Sequence, residues 1–282
     1  MRVLLTGGTG FIGSTVVEAL RGGGHDVTAV VRSEASAKAV EEGGAEAALG
    51  DLSDVGWLTG QLSGVDAAIN LAALDAAGED AVIAAVVRAF AGTAKPFVST
   101  GGVWVWGDNR DITEDSALAA PPIVAWKIER QNRLLSSTVK ASVVAPAVVY
   151  GRGRGLLAGL FTYGPRTDDG ALRLVGSGDQ HWATVHVEDL ADLYLRVLGR
   201  APGGEIYIGA SGINPTVREL AQAAAGPNGV VVAESDDDSR ERLGAYLADA
   251  LLLDQQASGD RARRRLGWQP DRLSAVEELS GR

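Results

Sequence analysis

The chain has 282 residues, 46% hydrophobic and 22% charged, which is long enough for a full core and has the balance of a folded globular protein rather than a disordered one. Its 36 acidic side chains against 26 basic ones leave a formal charge of -10, which argues against a sequence-independent grip on nucleic acid or on an anionic membrane. Cysteine is absent and histidine is limited to His25, His181 and His186, so neither disulfides, cysteine nucleophiles nor a metal site is expected.

The chain opens directly into an apolar run with no secretory signal, and no segment reads as a membrane span; a cytoplasmic location is the expectation. Val3, Leu4 and Leu5 are too apolar for one face of an exposed strand, which predicts a central strand covered on both sides. Thr6-Gly7-Gly8-Thr9-Gly10-Phe11-Ile12-Gly13 follows, then a helical pattern over Ser14 to Leu20 with Ile12, Val16, Val17 and Leu20 turned inward. In such a segment Gly7 permits a tight turn, Gly10 leaves room for a pyrophosphate, and Gly13 lets helix and strand pack closely. Free amides at the helix start would supply hydrogen bonds and the positive dipole end. A ligand-free glycine turn is the competing reading.

A second strand, Val27 to Val31, ends in Arg32. An acidic residue at such a tip accepts hydrogen bonds from a free ribose 2′-hydroxyl, whereas arginine favours a 2′-phosphate. Arg32, with Lys38 nearby, points to NADP rather than NAD; otherwise it tops a strand in solvent. A helix to Glu42, a strand over Ala45 to Leu49, the turn Gly50-Asp51-Leu52 and a short helix over 53–63 come next. Val65 to Leu71 reads as a strand, 78–91 as a helix with Val82, Val86, Val87 and Phe90 on one side, and Pro96 to Thr100 as a strand closed by Gly101-Gly102. This alternation predicts an α/β fold with a Rossmann-type doubly wound parallel sheet. Ligands gather beyond the carboxyl ends of such strands, so the cofactor rim comprises the first glycine turn, Arg32, Asp51, the Asn70 to Ala73 segment and Thr100 to Gly102.

Trp126 to Ser136 is again helical, Ala141 to Val144 a strand, and Pro146 to Gly151 a turn at the cleft edge. Residues 152–184, rich in Gly, Arg and Asp with Phe161, Tyr163 and Trp182, read as a substrate-facing loop region or a mobile flap. Asp189 to Leu198 is a helix with Leu190, Leu193, Tyr194 and Val197 as its stripe, Glu205 to Ile208 a strand, and Thr216 to Ala225 a helix capped by Thr216 with Glu219. The cluster Glu234, Asp236, Asp237, Asp238 reads as a solvated turn rather than a metal site. Arg261 to Leu266 forms a helix, Trp268-Gln269-Pro270 a turn, and a closing helix starts from Leu273. The expected division is a dinucleotide-binding domain over 1–151 with a returning segment at 184–200, and a smaller, mainly C-terminal substrate domain over 152–183 and 201–282.

Taken in order, Thr6 to Gly13, Gly50-Asp51-Leu52, Asn70-Leu71-Ala72-Ala73, Pro146-Ala147-Val148-Val149-Tyr150-Gly151 and Thr184-Val185-His186-Val187-Glu188-Asp189-Leu190-Ala191 resemble the extended short-chain dehydrogenase/reductase superfamily, in particular NAD-dependent epimerase/dehydratase-like proteins. The resemblance implies that Gly7, Thr9, Gly10, Phe11 and Ile12 hold the cofactor together with Arg32. It gives Asp51 the adenine amino group, with Leu52 beside it, and makes Leu71, Ala72, Ala73 and Thr100 the cofactor lining. It places Lys127 at the nicotinamide ribose hydroxyls and Pro146 and Val148 on the nicotinamide side. His186 and Asp189 would hold the lower cleft and a helix start.

Active members of the superfamily use Tyr-x-x-x-Lys, in which the ammonium lowers the tyrosine pKa so that the phenol exchanges a proton with substrate, and a Ser or Thr on the neighbouring strand end holds the same oxygen. Here Lys127 fits the lysine, but Ile123 stands four residues before it and cannot transfer a proton. Counting back from Trp106-Gly107 puts Gly102 at the hydroxyl position. Gly102-Val103-Trp104 and Val124-Ala125-Trp126-Lys127 resemble an atypical subgroup that lacks the catalytic tyrosine. Thr100, Tyr150 and Tyr163 are the candidate replacements acting with Lys127, with His181 and Asp168 behind them; the alternatives are that Tyr150 packs at a turn, that Tyr163 is a flap residue, and that water or the substrate's own group handles the proton. Trp104, Trp106 and Trp126 wall a pocket for a flat or apolar substrate, or fill gaps between helix and sheet.

The resulting expectation is an NADP-dependent oxidoreductase-like protein, with NAD also open, acting by atypical chemistry on a small carbonyl, alcohol or sugar-derived compound. A non-catalytic NADP(H) sensor or scaffold and a redox-neutral isomerase or cyclase are the alternatives. The expected partner is a small-molecule substrate, with no nucleic acid and no membrane. A homodimer through 78–91 and 124–137 is a further expectation.

Overall fold

The computed structural model describes residues 1–272 and 274–281. The first half runs β1 (Arg2–Thr6), α1 (Phe11–Gly22), β2 (Asp26–Val31), α2 (Glu34–Glu42), β3 (Glu46–Leu49), α3 (Val55–Ser63), β4 (Ala67–Asn70), α4 (Ala76–Phe90) and β5 (Pro96–Thr100). A 3-10 turn over Val103–Trp106 leads to β6 (Asn109–Ile112), α5 (Pro122–Leu135), β7 (Lys140–Pro146) and β8 (Val148–Gly151). The short α6 (Gly155–Leu157) continues into a π-helical turn over Ala158–Thr162, followed by β9 (Leu172–Arg173), β10 (Thr184–His186), α7 (Val187–Arg200) and β11 (Glu205–Gly209). The chain ends with α8 (Val217–Ala225), β12 (Val231–Val232), α9 (Asp236–Leu243), α10 (Ala245–Leu251), β13 (Gln255–Ala257), α11 (Asp260–Leu266) and α12 (Ala275–Leu279).

Among the described residues seven strands form one sheet in the order β11-β7-β5-β4-β1-β2-β3, every pairing parallel. Strand alternation explains the apolar opening run: Val3 and Leu5 face the side covered by α1, α2 and α7, whereas Leu4 faces the side covered by α3, α4 and α5. The order reverses between β1 and β4, and the glycine turn after β1 sits at that switch point. The Rossmann-type doubly wound sheet read from the sequence is the fold of this protein.

A third apolar cluster lies beyond the carboxyl edge of the sheet and unites α6, β8, β9, α8 and α10 through Leu157, Tyr150, Leu172, Leu220 and Leu251. Trp104 packs against both this cluster and the α1/α7 side of the sheet. Several expectations change here. Pro146 to Gly151 is not a turn: Pro146 ends β7, and Val148 starts β8, which pairs in parallel with β10. The 152–184 stretch is not a mobile flap, since Phe161, Leu172, Leu174 and Trp182 within it are buried and carry the third cluster. Asp236 to Asp238 are exposed, as expected of a solvated turn, and that turn is the first of α9, capped by Ser235 with Asp238, where carboxylates favour the positive helix end. The predicted start of the closing helix at Leu273 lies outside the described residues; α12 begins at Ala275 after the Ser274 cap.

Trp268 ties the returning chain to the sheet. Its ring is fully buried in the α7 side of the core, and its Nε1–H donates to the Asp189 carbonyl at 2.8 Å. The Asp189 side chain in turn accepts from the backbone amides of Asp271 and Arg272. Trp268→Ala is expected to lower stability by about 3–5 kcal/mol, read as a shift of the urea midpoint at unchanged slope.

Candidate functional site

The site is assembled around backbone. Gly7 has φ +75°, and a Cβ there would stand 2.6 Å from the Leu71 carbonyl. A Cβ on Gly13 would meet the Gly7 carbonyl oxygen at 2.0 Å. Both positions therefore exclude any side chain. Thr6 locks the same corner: its carbonyl accepts from the Leu71 amide at 3.2 Å, and its hydroxyl donates to Asn70 Oδ1 at 2.5 Å. Gly10 caps α1 in an extended conformation with no side-chain cap, leaving the first-turn amides open to a ligand. This cradle fits a diphosphate, which needs a side-chain-free approach and converging N–H groups.

At the far end of the rim, Arg32 is exposed at the tip of β2, directly before Ser33, whose hydroxyl caps α2 by accepting from the Ser36 amide at 3.2 Å. Asp51 follows β3 close by. Hydrogen bonds from Ser53 hold its carboxyl below the usual range, with a smaller contribution from the Arg32 charge. Lys38 turns along its own helix to Glu42, 4.0 Å away, rather than joining Arg32. Leu52 is buried with Leu4 and Val30. Thr9 and Ala73 are exposed, and Leu71 and Ala72 are half-buried.

A cavity of about 350 Å³ opens on the other side of the glycine turn. Phe11, Ile12, Thr100, Lys127, Pro146 and Val148 line it together, so these six expected site residues share one wall. Among the described lining residues Lys127 is the one ionisable side chain. Its Nζ lies 4.5 Å from the Trp126 ring centroid and 3.8 Å from Glu79 Oε2 on α4. Burial pushes the Glu79 carboxyl above its ordinary value of 4.5, against the opposing pull of Lys127, Arg130 and a hydrogen bond from the Ser99 side chain. Glu79 was not among the expected site residues. Its signal was present, because it stands three residues before Val82 and seven before Val86, on the apolar stripe of the helix.

The candidate hydroxyls do not gather at Lys127. Thr100 lines the cavity, but its hydroxyl donates to the Asn70 carbonyl at 2.7 Å and accepts from the Tyr194 hydroxyl at 2.8 Å, so its one proton is already engaged. Tyr150 lies outside the cavity lining. It is buried edge-on to His186, with ring centroids 5.4 Å apart, and burial pushes its phenol well above the ordinary range. Tyr163 is 74% exposed, also outside the cavity, with its hydroxyl near Gly153. The predicted pairing of either tyrosine with Lys127 is therefore not what the fold produces, because β8 carries Tyr150 into the third cluster and Tyr163 ends the turn after α6. His181 pairs with Asp254 at 3.0 Å, and His186 caps α7 by accepting from the Glu188 amide. Of the three tryptophans, Trp104 lines the cavity, Trp106 is buried in the core, and Trp126 lies beneath Lys127 and Arg130.

Ile123 sits one turn before Lys127 near the start of α5, and Gly102 borders the cavity with nothing within 4 Å of a Cβ placed there. Two hydroxyl positions are thus empty of hydroxyls while the backbone that would carry them is intact. No group of three or more His, Asp or Glu residues able to hold a metal occurs among the described residues, and no described helix is long and apolar enough to cross a membrane.

The family model of the NAD dependent epimerase/dehydratase family matches residues 3–209. An uncharacterized protein of Schizosaccharomyces pombe is 28% identical over 292 residues, covering 99% of this chain and 98% of its own. The dTDP-glucose 4,6-dehydratase DesIV of Streptomyces venezuelae, a double mutant solved with NAD and DAU, superposes with a TM-score of 0.78 at 23% identity, covering 99% of this chain and 95% of that one. The human epimerase family protein SDR39U1 with NADPH gives 0.76 at 21% identity, covering 100% and 98%. At these identities the two structures share the fold with this chain.

The raised Glu79 carboxyl has a definite linkage sign. Because its folded value is the higher one, this group's contribution to stability is fully present below 4.5 and is lost as the pH rises through the folded value. Glu79→Gln cannot ionise and keeps that contribution. Urea midpoints of parent and variant should converge below pH 4.5 and separate in the variant's favour toward neutrality. The opposite order at neutral pH would mean that the attraction to Lys127 outweighs burial.

Proposed function

The chain belongs to the NAD dependent epimerase/dehydratase family, and from that premise we propose that it is an NADP(H)-dependent oxidoreductase acting on a small organic carbonyl or alcohol. The observation that carries this reading is that Phe11 and Ile12, from the glycine turn, and Lys127, from α5, line one cavity. The open amides of α1 would take the diphosphate, Asp51 the adenine side, Arg32 and the Ser33-capped start of α2 the 2′-phosphate, and Lys127 the ribose hydroxyls. Bound NADP(H) would supply hydride transfer at its nicotinamide. Lys127 orients and donates a hydrogen bond into the cavity, with Glu79 as its buried counter-charge. Ile12, Pro146 and Val148 exclude water from the same wall.

Ile123 and Gly102 favour a second reading, in which the protein binds NADP(H) as a sensor or scaffold, or holds it for redox-neutral isomerisation or cyclisation. The two are separated by turnover. Calorimetry should show NADPH binding, and Arg32→Ser should weaken it about 10–100-fold while leaving NADH nearly unchanged. Absence of any nicotinamide nucleotide affinity would remove every version of the proposal. Gly102→Ser combined with Ile123→Tyr should fold, since the added serine meets open space, and should raise NADPH oxidation with a carbonyl panel. Turnover by the parent chain supports the oxidoreductase; binding without turnover by the parent supports the second reading.

A further inference from the structure

We propose that the Lys127 cavity takes an apolar molecule bearing a single carbonyl or hydroxyl oxygen, and not a sugar nucleotide. This rests on the proposed use of the Gly7–Gly13 side of the cleft for the cofactor. Beyond that side the walls are Val103, Trp104 and Val105 from the 3-10 turn, Val124 from α5, Val149 from β8 and Leu156 from α6. Polar side chains are scarce where a substrate oxygen would be met. Gly102 has no side chain, Ile123 has no hydroxyl, and the Thr100 proton is held by the Asn70 carbonyl. Lys127 Nζ and the Trp104 indole N–H are the remaining side-chain donors among the described lining residues.

That wall discriminates by what it leaves unpaired. Each buried hydroxyl without a partner costs about 1–3 kcal/mol, so a pyranose with several ring hydroxyls is disfavoured by several such increments. An alkyl or aryl body gains about 25 cal/mol per Å² of buried apolar surface instead. One oxygen, with two lone pairs, offers an acceptor site to each of these two donors.

The neighbouring arginines do not offer a diphosphate site for a nucleotide substrate. Arg152 is paired to Glu18 and Glu188, Arg173 and Arg242 to Glu234, and Arg218 to Asp179. Arg240 is paired to Asp237 and Asp249, and Arg166 donates to Gly170 in its own loop. Arg154 lies over the Phe11 ring, on the cofactor side.

The test is calorimetry of the NADP⁺-saturated full chain with 2-octanone and, separately, with UDP-glucose and dTDP-glucose. The ketone should bind at least about tenfold more tightly than either sugar nucleotide. Val124→Asp and Leu156→Asp, which place a charge on the α5 and α6 parts of the lining, should each weaken the ketone about tenfold or more with NADPH affinity retained. Tighter binding of a sugar nucleotide, or ketone affinity untouched by both variants, overturns the assignment. A parallel NADPH titration keeps the two readings apart. Nucleotide binding without ketone preference sinks the substrate class alone, whereas ketone binding that survives without nucleotide affinity sinks the cofactor reading and keeps the cavity.

Discussion

Backbone rests directly on backbone where β1 ends. The Gly7 α-carbon faces the Leu71 carbonyl, the Gly13 α-carbon faces the Gly7 carbonyl, and neither gap admits even a methyl group. This contact brings α1 down onto the switch point between β1 and β4, so the amides that begin α1 project past the sheet edge. The geometry of the whole cleft depends on it. If α1 were held a few ångströms further out, Phe11 and Ile12 would leave the cavity wall that they now share with Lys127.

The first hundred residues were legible because their constraints are local. Buried parallel strands such as Leu4–Leu5 and Val98 are apolar on both faces, the helices between them show stripes, and glycines mark their ends. The glycine cradle was legible for the same reason, as spacing alone sets which α-carbons approach. The rest resisted because its determinants are distant in sequence. β6 exists only through its pairing with β13, more than 140 residues later, and Gln255 reaches back to the Val103 and Gly107 carbonyls. The acidic run is exposed at Asp236 to Asp238 as its composition suggests, but Glu234 is neutralised by Arg242 of α9 and by Arg173 from the distant β9. Whether Tyr150 packs or faces the cleft is likewise set by a distant partner. The single Pro146 and the closing Gly151 resemble a turn, and the β8–β10 pairing carries the Tyr150 side chain into the third cluster.

Thr100 marks the limit of reading function from residue type. A hydroxyl beside the expected position reads as a substitute for the missing serine. Its usefulness, however, depends on where its single proton goes, and the Asn70 carbonyl and Tyr194 determine that. The same hydrogen bonds join β4, β5 and α7, so this threonine stabilises the floor of the cleft instead of donating into it.

Retention of Lys127 therefore does not by itself imply tyrosine-type proton transfer. In the usual arrangement the ammonium is balanced by the phenolate it stabilises. With Ile123 in that place, an ammonium half-buried against apolar walls needs another negative partner, and α4 provides one in Glu79 at 3.8 Å. The Glu79 side chain is buried and does not line the cavity, whereas Lys127 does. Of the charge pair, the ligand meets the positive end. A wall whose side-chain donors are Lys127 Nζ and the Trp104 indole N–H, with hydrocarbon around them, fixes the orientation of a lone oxygen, and the two absent hydroxyls sharpen that selection by removing competing partners.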